Sequence, residues 1–380
     1  MKKLLNTLYI TSTEKYLSLD GENVVISENK KECARVPLHN IESIVTYGYN
    51  GVSPALMGKC ASNNINISFM SRNGRFLANV VGPYCGNVVL RKTQYRLSDN
   101  EDYCTEISKN IILGKLYNSR WVIERATRDY PNSLDIPKLK NVSMQIKNSM
   151  NNISNCKNTE EIRGVEGEAA TRYFSVFDDL ILQQKEDFFF HGRNRRPPTD
   201  MVNAMLSFAY TMLTGMVTSS LYSVGLDPYV GYLHKDRPGR TSLSLDMMEE
   251  FRPVFADRFV LTMINKRIIT KNDFLTKENG AVIFTDDGKK KFLQSWQTKK
   301  QTEIKHPFLN EKVQWGVVPY VQALLLARTI RRESVGLQTG TPQTVRGQHV
   351  HVECPNGKVP PSAPFEQAIH LHRLRPARTR

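Results

Sequence analysis

Residues 101–128 read EDYCTEISKNIILGKLYNSRWVIERATR. Ile107, Ile111, Leu113, Leu116, Trp121 and Ile123 recur there at helical intervals, with no proline inside and no alternating β pattern. The chain before this stretch has another period. Over residues 1–90, short runs of alternating or β-branched residues are separated by turn signals. Runs 16–19 and 24–27 flank Asp20-Gly21. Runs 65–70 and 76–81 flank Arg72-Asn73-Gly74, where Asn-Gly supplies the positive φ a tight hairpin needs. One helix interrupts the strands, with Ser53 placed to cap it and Pro54 at its first position. Beyond residue 128, Asn158-Thr159-Glu160-Glu161 reads as a helix start, and Ile162, Val165, Ala169, Tyr173 and Phe177 continue one apolar face. Further helical segments are expected over 200–223, 243–265, 285–305 and 317–332. The change of period near residue 100 predicts an α+β multidomain chain. An N-terminal β domain over 1–90 is expected to lead through a hinge at 91–100 into a larger all-α C-terminal domain over 101–332.

Residues 333–380 fit neither pattern. They hold six prolines in 48 residues and half of the chain's eight histidines, with almost no periodic apolar positions. Such a segment buries too little surface to fold and reads as a disordered, non-native-looking tail. Its histidines, His349, His351, His370 and His372, are expected to bind metal only adventitiously.

A chain of 380 residues exceeds one compact core, which agrees with two domains. Lys plus Arg number 52 against 37 Asp plus Glu, a formal net charge of +15. That excess points to a polyanionic partner, nucleic acid before an anionic membrane surface. Cys33, Cys60, Cys85, Cys104, Cys156 and Cys354 include no CxxC pair, so neither a zinc ribbon nor a redox motif is written locally. Scattered thiols fit a reducing interior. The five residues Met1-Lys2-Lys3-Leu4-Leu5 imitate a signal peptide until Asn6 and Thr7 break the apolar run. The longest apolar stretches, 205–217 and 317–327, stop short of the roughly 18 residues of a membrane span. A soluble, cytoplasmic protein without a membrane partner is expected. GxxxxGK[ST], GxGxxG after a strand, HExxH and GxSxG are all absent, which disfavours ATP-driven motors, dinucleotide enzymes, zincins and serine hydrolases.

Three segments carry candidate chemistry. In the first, Glu166 stands among small residues from Gly164 to Ala170. Mid-helix Gly167 costs about 1 kcal/mol relative to Ala and calls for a packing reason, such as close approach of another helix. In the second, His234 follows the apolar run 230–233 and opens a Pro/Gly loop carrying Lys235, Arg237 and Arg240, cations suited to phosphate. In the third, Asp246, Glu249 and Glu250 fall on one helical face near its start, where acidic residues also serve as dipole complements. Taken singly, each is also what an ordinary helix glutamate, a structural histidine or a first-turn carboxylate looks like. Together, two carboxylates and an imidazole from separate elements make a mixed N/O donor set, whose added nitrogen moves preference from Mg²⁺ toward Mn²⁺. In a basic protein such an ion would act on a phosphodiester. Arg193, Arg195 and Arg196, in the irregular loop before the 200–223 helix, present forks for phosphate oxygens. Lys289-Lys290-Lys291 and Lys299-Lys300 read as solvated helix faces.

Four motifs in order give the chain a family likeness. They are GxEGxAAxxYF over 164–174, RxRRPPxDxxNAxLSFxY over 193–210, GLDPxVGxLH over 225–234 and SLxLDxMEEFRP over 242–253. The sequence resembles the CRISPR-associated integrases of spacer acquisition, the Cas1 family, and is most similar to its type I-C branch, from Met1 to about Arg332. The resemblance implies a β domain joined to a larger helical domain and a metal-dependent DNA endonuclease and integrase of antiviral defence. Such an enzyme inserts captured fragments into a repeat array by transesterification. Carried over by position, it implies Glu166, His234 and Glu249 as ligands of Mn²⁺ or Mg²⁺, with Asp246 as a supporting carboxylate at the same catalytic site. It also implies double-stranded DNA, a homodimer formed through the β domain, and the small dimeric adaptation protein Cas2 as partners. Arg193, Arg195, Arg196, Lys235, Arg237 and Arg240 are the candidate DNA clamps. Two other readings stay open on the residues: a non-catalytic basic DNA-binding scaffold, and a repair nuclease for branched DNA.

Overall fold

The computed structural model describes residues 6–12, 14–47, 51–71, 76–80, 82, 88–306 and 311–339. β1 (Asn6–Ile10) precedes β2 (Lys15–Asp20), β3 (Asn23–Glu28) and β4 (Lys31–Pro37), which pair antiparallel in that order. The hairpin expected at Asp20-Gly21 forms, with Gly21 at φ +56° where an L side chain would be strained. β5 (Ile41–Tyr47), α1 (Pro54–Ser62), β6 (Asn66–Met70) and β7 (Phe76–Val80) complete the N-terminal region. A second sheet runs β1-β5-β6-β7, in which β1, β5 and β6 are parallel and β7 returns antiparallel. Parallel neighbours need crossovers. The β2–β4 sheet makes the one from β1 to β5, and α1 makes the one from β5 to β6. Ser53 caps α1 as expected, its hydroxyl accepting the Leu56 N–H at 3.2 Å. The 72–74 turn lies outside the described residues, although β6 and β7 pair as a hairpin requires. Leu17, Val24, Ile44, Leu56 and Ile67 share one apolar core.

α2 (Val88–Ser98) and α3 (Glu101–Asp129) come next, with Asn100 capping α3 by accepting the Tyr103 N–H at 2.9 Å. Residues 91–100, expected as a hinge, are therefore helical through Ser98. Leu90, Thr93, Gln94 and Leu97 form a buried stripe that fixes the segment against its neighbours. α4 (Ile136–Asn155) packs on α3 together with α5 (Thr159–Ser175), which starts where expected, the Asn158 side chain accepting the Glu161 N–H at 2.9 Å. α6 (Met201–Val224) is capped by Asp200 and closed by Gly225 at φ +84°. By length and composition α6 is long and apolar enough to cross a membrane, contrary to the count of short apolar stretches. Its Val202, Met205, Leu206, Ala209, Leu213 and Val217 are buried in the larger core, which is what an apolar core helix looks like.

α7 (Ser242–Met248) and α8 (Arg258–Asn265) lie where one continuous helix is expected over 243–265. A π-helical stretch, Arg252–Asp257, parts them. Pro253 within it has no N–H to give to the α ladder, and the widened turn re-aims Arg252 and Asp257. β8 (Phe274–Thr276) and β9 (Val282–Phe284) form a ribbon before α9 (Asp286–Gln301). β10 (Glu303–His306) and β11 (Glu311–Gln314) form another before α10 (Val318–Thr339). Strands are concentrated in the N-terminal region and the rest is helical, but these two ribbons mean that the helical part is not purely α.

Two corrections fall on charged segments. The 333–380 tail begins inside α10, which continues to Thr339; from residue 340 the tail, histidines included, lies outside the described residues. The lysine runs on α9 are not wholly solvated. Lys289 is buried over the Tyr47 ring at 5.3 Å, and buried Lys300 donates to Thr7 Oγ1 at 3.0 Å, tying α9 to β1. The Lys299 ammonium lies 5.0 Å from the Trp315 ring centroid. Burial first, then Arg258 and Arg125, bring its pKa down to about 7.

Candidate active site

α5 carries Glu166 to the face that meets α3. There its Oε1 contacts the ammonium of Lys115, a residue of α3 only 8% exposed. The same ammonium lies 2.7 Å from Glu249 Oε2, and Arg252 Nη1 lies 2.9 Å from Glu249 Oε1. Two carboxylates from distant parts of the chain thus meet on one buried amine, and a guanidinium closes the other side of Glu249. Burial alone would push the Glu249 carboxyl up. Arg252 and Lys115, helped by His234, outweigh it and hold the group well below the usual carboxylate range.

His234 is held from behind. The Asp246 carboxylate is completely buried and accepts backbone N–H groups from Tyr232 at 2.6 Å, Leu233 at 3.0 Å and His234 at 3.0 Å. Its Oδ1 also lies 2.6 Å from His234 Nδ1. A carboxylate so placed favours the proton on Nδ1 and leaves the Nε2 lone pair as the available donor. Gly231 makes this wrap possible, since a Cβ there would lie 2.8 Å from Asp246 Oδ2 and 2.8 Å from Ser242 Cβ. α2 supports the loop from the far side: Gln94 Nε2 donates to the carbonyls of Asp227 (2.8 Å) and Val230 (3.1 Å), and Gln94 Oε1 accepts the Asp227 N–H at 2.9 Å. Arg163 of α5 donates to the Leu233 carbonyl at 2.8 Å.

The expected residues therefore part into groups. Glu166 and Glu249 meet directly through Lys115. Asp246 is committed to the 232–234 backbone and to His234, which makes it a support and not a free donor. Glu250 turns away from Glu249 and accepts from Gln322 of α10 at 2.9 Å, so the three acidic residues do not share one face. Among the described residues, no three His, Cys, Asp or Glu side chains converge closely enough to hold a metal ion. The expected meeting of Glu166, His234 and Glu249 on one point is not made as the side chains stand, because the Lys115 ammonium takes the place between the carboxylates. The donors nevertheless suit a divalent ion: two carboxylates already gathered on a cation, and an imidazole whose other nitrogen is fixed by a carboxylate.

Arg193 also differs from expectation. Its guanidinium donates to Asn203 Oδ1 at 2.6 Å and Ser207 Oγ at 3.1 Å and lies 5.2 Å from the Tyr210 ring centroid, so it braces the loop against α6 and is not an outward clamp. Arg195 and Arg196 are exposed, and Arg195 lines the cleft that holds Glu166, Lys115, Tyr210, Arg252 and Asp257. Lys235 points outward and pairs with Glu160 at 2.6 Å; Arg237 is exposed and Arg240 half-buried. Gly164 and Gly167 have no packing reason among the described residues, because a Cβ on either would meet nothing there within 4 Å.

Sequence reasoning missed Lys115, Arg252, Tyr210 and Asp257. The Tyr210 hydroxyl donates to Asp257 Oδ1 at 2.5 Å, and Arg252 lies 5.0 Å from the Tyr210 ring centroid. Burial raises the Asp257 carboxyl to about 6 despite Tyr210, Arg193 and Arg252. None of the four stands out in the sequence: Lys115 shares its α3 face with Ser108, Asn118 and Ser119, and its carboxylate partners lie far along the chain.

Comparison with known proteins gives consistent results. The family model described as "CRISPR associated protein Cas1" matches residues 8–298. The chain is 46% identical over 331 residues to "CRISPR-associated endonuclease Cas1 1" of Chlorobaculum tepidum, covering 87% of this chain and 96% of that one. Among solved structures it resembles a "Casposase bound to integration product", with a TM-score of 0.75 at 24% identity over 87% of this chain and 91% of that one. It also resembles a chain of a "Cas6-RT-Cas1--Cas2 complex", with a TM-score of 0.72 at 20% identity over 88% of this chain and 36% of that one.

Proposed function

This chain belongs to the CRISPR-associated Cas1 family, and from that premise we propose that it is a divalent-metal-dependent DNA integrase and endonuclease of spacer acquisition, on the type I-C branch. The observation that carries the reading is the meeting of Glu166 and Glu249 on one buried cation, beside a histidine aimed by the buried carboxylate of Asp246. Glu166, Glu249 and His234 Nε2 would hold Mn²⁺ or Mg²⁺. When bound, the ion polarises a non-bridging phosphate oxygen and stabilises the charge that grows there.

The chain's own groups do the rest. Asp246 keeps the His234 ring in one tautomer and one orientation. Arg252 holds the second oxygen of Glu249, and Arg195 at the cleft mouth is placed to take a backbone phosphate. The reaction exchanges one phosphodiester for another. The 3′-hydroxyl of the captured fragment gives up its proton and forms a new P–O bond, the repeat strand's P–O bond breaks, and the departing 3′-oxygen takes a proton in exchange. Because bonds made and broken match in kind, no ATP is required. The reading also includes a homodimer working with Cas2 on double-stranded DNA in the cytoplasm, as the family likeness implies.

The test is strand transfer of a labelled duplex fragment into repeat DNA, with Mn²⁺ against EDTA, for the wild type, Glu166→Ala and His234→Ala. Product only with Mn²⁺ and wild-type protein is expected; metal-independent product, or full activity of either variant, overturns the assignment. One observation favours a non-catalytic DNA scaffold instead: Glu166, Asp246 and Glu249 all have partners inside the protein. A scaffold gives salt-sensitive binding with no metal requirement and no product. A repair nuclease would prefer branched DNA over the repeat.

A further inference from the structure

We propose that Lys115 is a resident cation that competes with the divalent ion for Glu166 and Glu249, so that the site loads only when its ammonium leaves the pair. The inference rests on the metal-dependent reading above and concerns the regulation of that same site. Lys115 lies midway along the 29-residue α3 and is 8% exposed, so its ammonium has little water to return to while the two carboxylates hold it. With Arg252, it balances Glu166 and Glu249 charge for charge. A divalent ion added to that balanced set would face two unit cations at close range. Each unit of like charge so close to the ion opposes its entry, and more strongly where water is excluded. One cation must therefore withdraw.

The two cations are not equally free to do so. Arg252 is pinned: Nη1 lies 2.9 Å from Glu249 Oε1, and its guanidinium stacks on Tyr210, whose hydroxyl is tied to buried Asp257. Lys115 has a flexible four-carbon stem and a compact head, and the described structure gives its ammonium those two carboxylates alone. It also lines the same cleft as Arg195. Once displaced, it leaves its amine beside the phosphate that the cleft would hold, so the cation that guards the carboxylates becomes a further charge for the substrate. The device keeps two adjacent carboxylates, one buried and one half-buried, from repelling one another until an ion arrives.

Titration calorimetry with Mn²⁺ alone, on the full chain and on Lys115→Met, tests this. The variant keeps the stem length and removes the charge. Mn²⁺ binding about tenfold tighter or more in Lys115→Met is the expected result; equal or weaker binding, with the wild type still binding, overturns the proposal and leaves the metal site standing. If neither protein binds Mn²⁺, both the competition and the metal site are overturned. A measurement on unmodified protein covers the case in which the variant does not fold. Pulse labelling with an amine-reactive reagent, read by mass spectrometry, should modify Lys115 at least threefold faster in Mn²⁺ than in EDTA, with buried Lys300 unchanged as reference. Equal labelling of Lys115 in the two conditions overturns the proposal.

Discussion

His234 Nδ1 and Asp246 Oδ1 stand 2.6 Å apart, and the same carboxylate accepts three successive backbone N–H groups from the loop that carries the histidine. Loop and ring are thus set by one buried anion. Asp246→Asn keeps the shape but turns an N–H₂ toward donors, leaving one or two of them unsatisfied, at about 1–3 kcal/mol each. The expected outcome is a lower melting temperature together with a ten- to hundredfold loss of strand transfer, the usual scale for removing the group that orients a ligating histidine. His234→Ala should lose as much activity with far less loss of stability. Thermal melts beside strand-transfer rates separate the two variants, and equal stability of Asp246→Asn and wild type would remove the anion from its central place.

Glycine substitutions should move stability in opposite directions. A Cβ at Gly231 would strike Asp246 Oδ2 and Ser242 at 2.8 Å, so Gly231→Ala must shift the carboxylate or the loop, at about 1–3 kcal/mol. Gly167→Ala meets nothing within 4 Å among the described residues and sits inside α5, where alanine is favoured by up to about 1 kcal/mol. Chemical denaturation of both variants checks the pair of signs.

Much of this was legible in sequence, and the reason differs between residues. Ser53 and Asn158 mark helix starts because capping is local, and each caps as its spacing implies, whereas Asp200, read as the first residue of its helix, turns out to cap it. Glu166, His234, Asp246 and Glu249 fall in ordered motifs. Lys115 did not announce itself, since its partners lie far along the chain and a lysine among serines and an asparagine on a helix face reads as one that reaches to solvent. Gln94 was hidden in a segment taken as a hinge, because its hydrogen bonds to Asp227 and Val230 are long-range. The parallel pairing of β1, β5 and β6 was hidden too, as turn residues encode hairpins and not crossovers.

Arg193 and Arg195, two residues apart in one motif, should behave as opposites. Arg193→Ala removes donors from Asn203 and Ser207 and a guanidinium from the Tyr210 ring, so its effect should appear as a loss of stability of about 1–3 kcal/mol. Arg195→Ala should leave the melting temperature unchanged and weaken DNA binding, lowering the slope of log affinity against log salt by about one. Salt-dependent binding curves with melts of the same preparations decide it; a stable Arg193→Ala with a reduced salt slope would return Arg193 to the DNA interface.

Asp257 gives the chain a pH dependence of definite sign. Burial raises its carboxyl from the ordinary 3.8 to about 6, against the Tyr210 hydrogen bond and the charges of Arg193 and Arg252. The folded chain therefore holds this proton more tightly than the unfolded chain. The stability it contributes is complete below about 3.8 and is lost as pH rises through about 6. At neutral pH the ionised, buried group then costs roughly 3 kcal/mol relative to its protonated form. Asp257→Asn imitates the protonated form and still offers Tyr210 an oxygen, so it escapes that cost. The variant should gain on the wild type by about 2 kcal/mol between pH 4.5 and pH 7.5, measured by urea denaturation at each pH. The comparison cancels other titrating groups, including buried His306, whose pKa burial lowers to about 4 and whose own effect runs the other way. A gap between variant and wild type that stays constant across this range would mean that Asp257 titrates as an ordinary carboxyl, and that Tyr210 and the two arginines offset its burial in full.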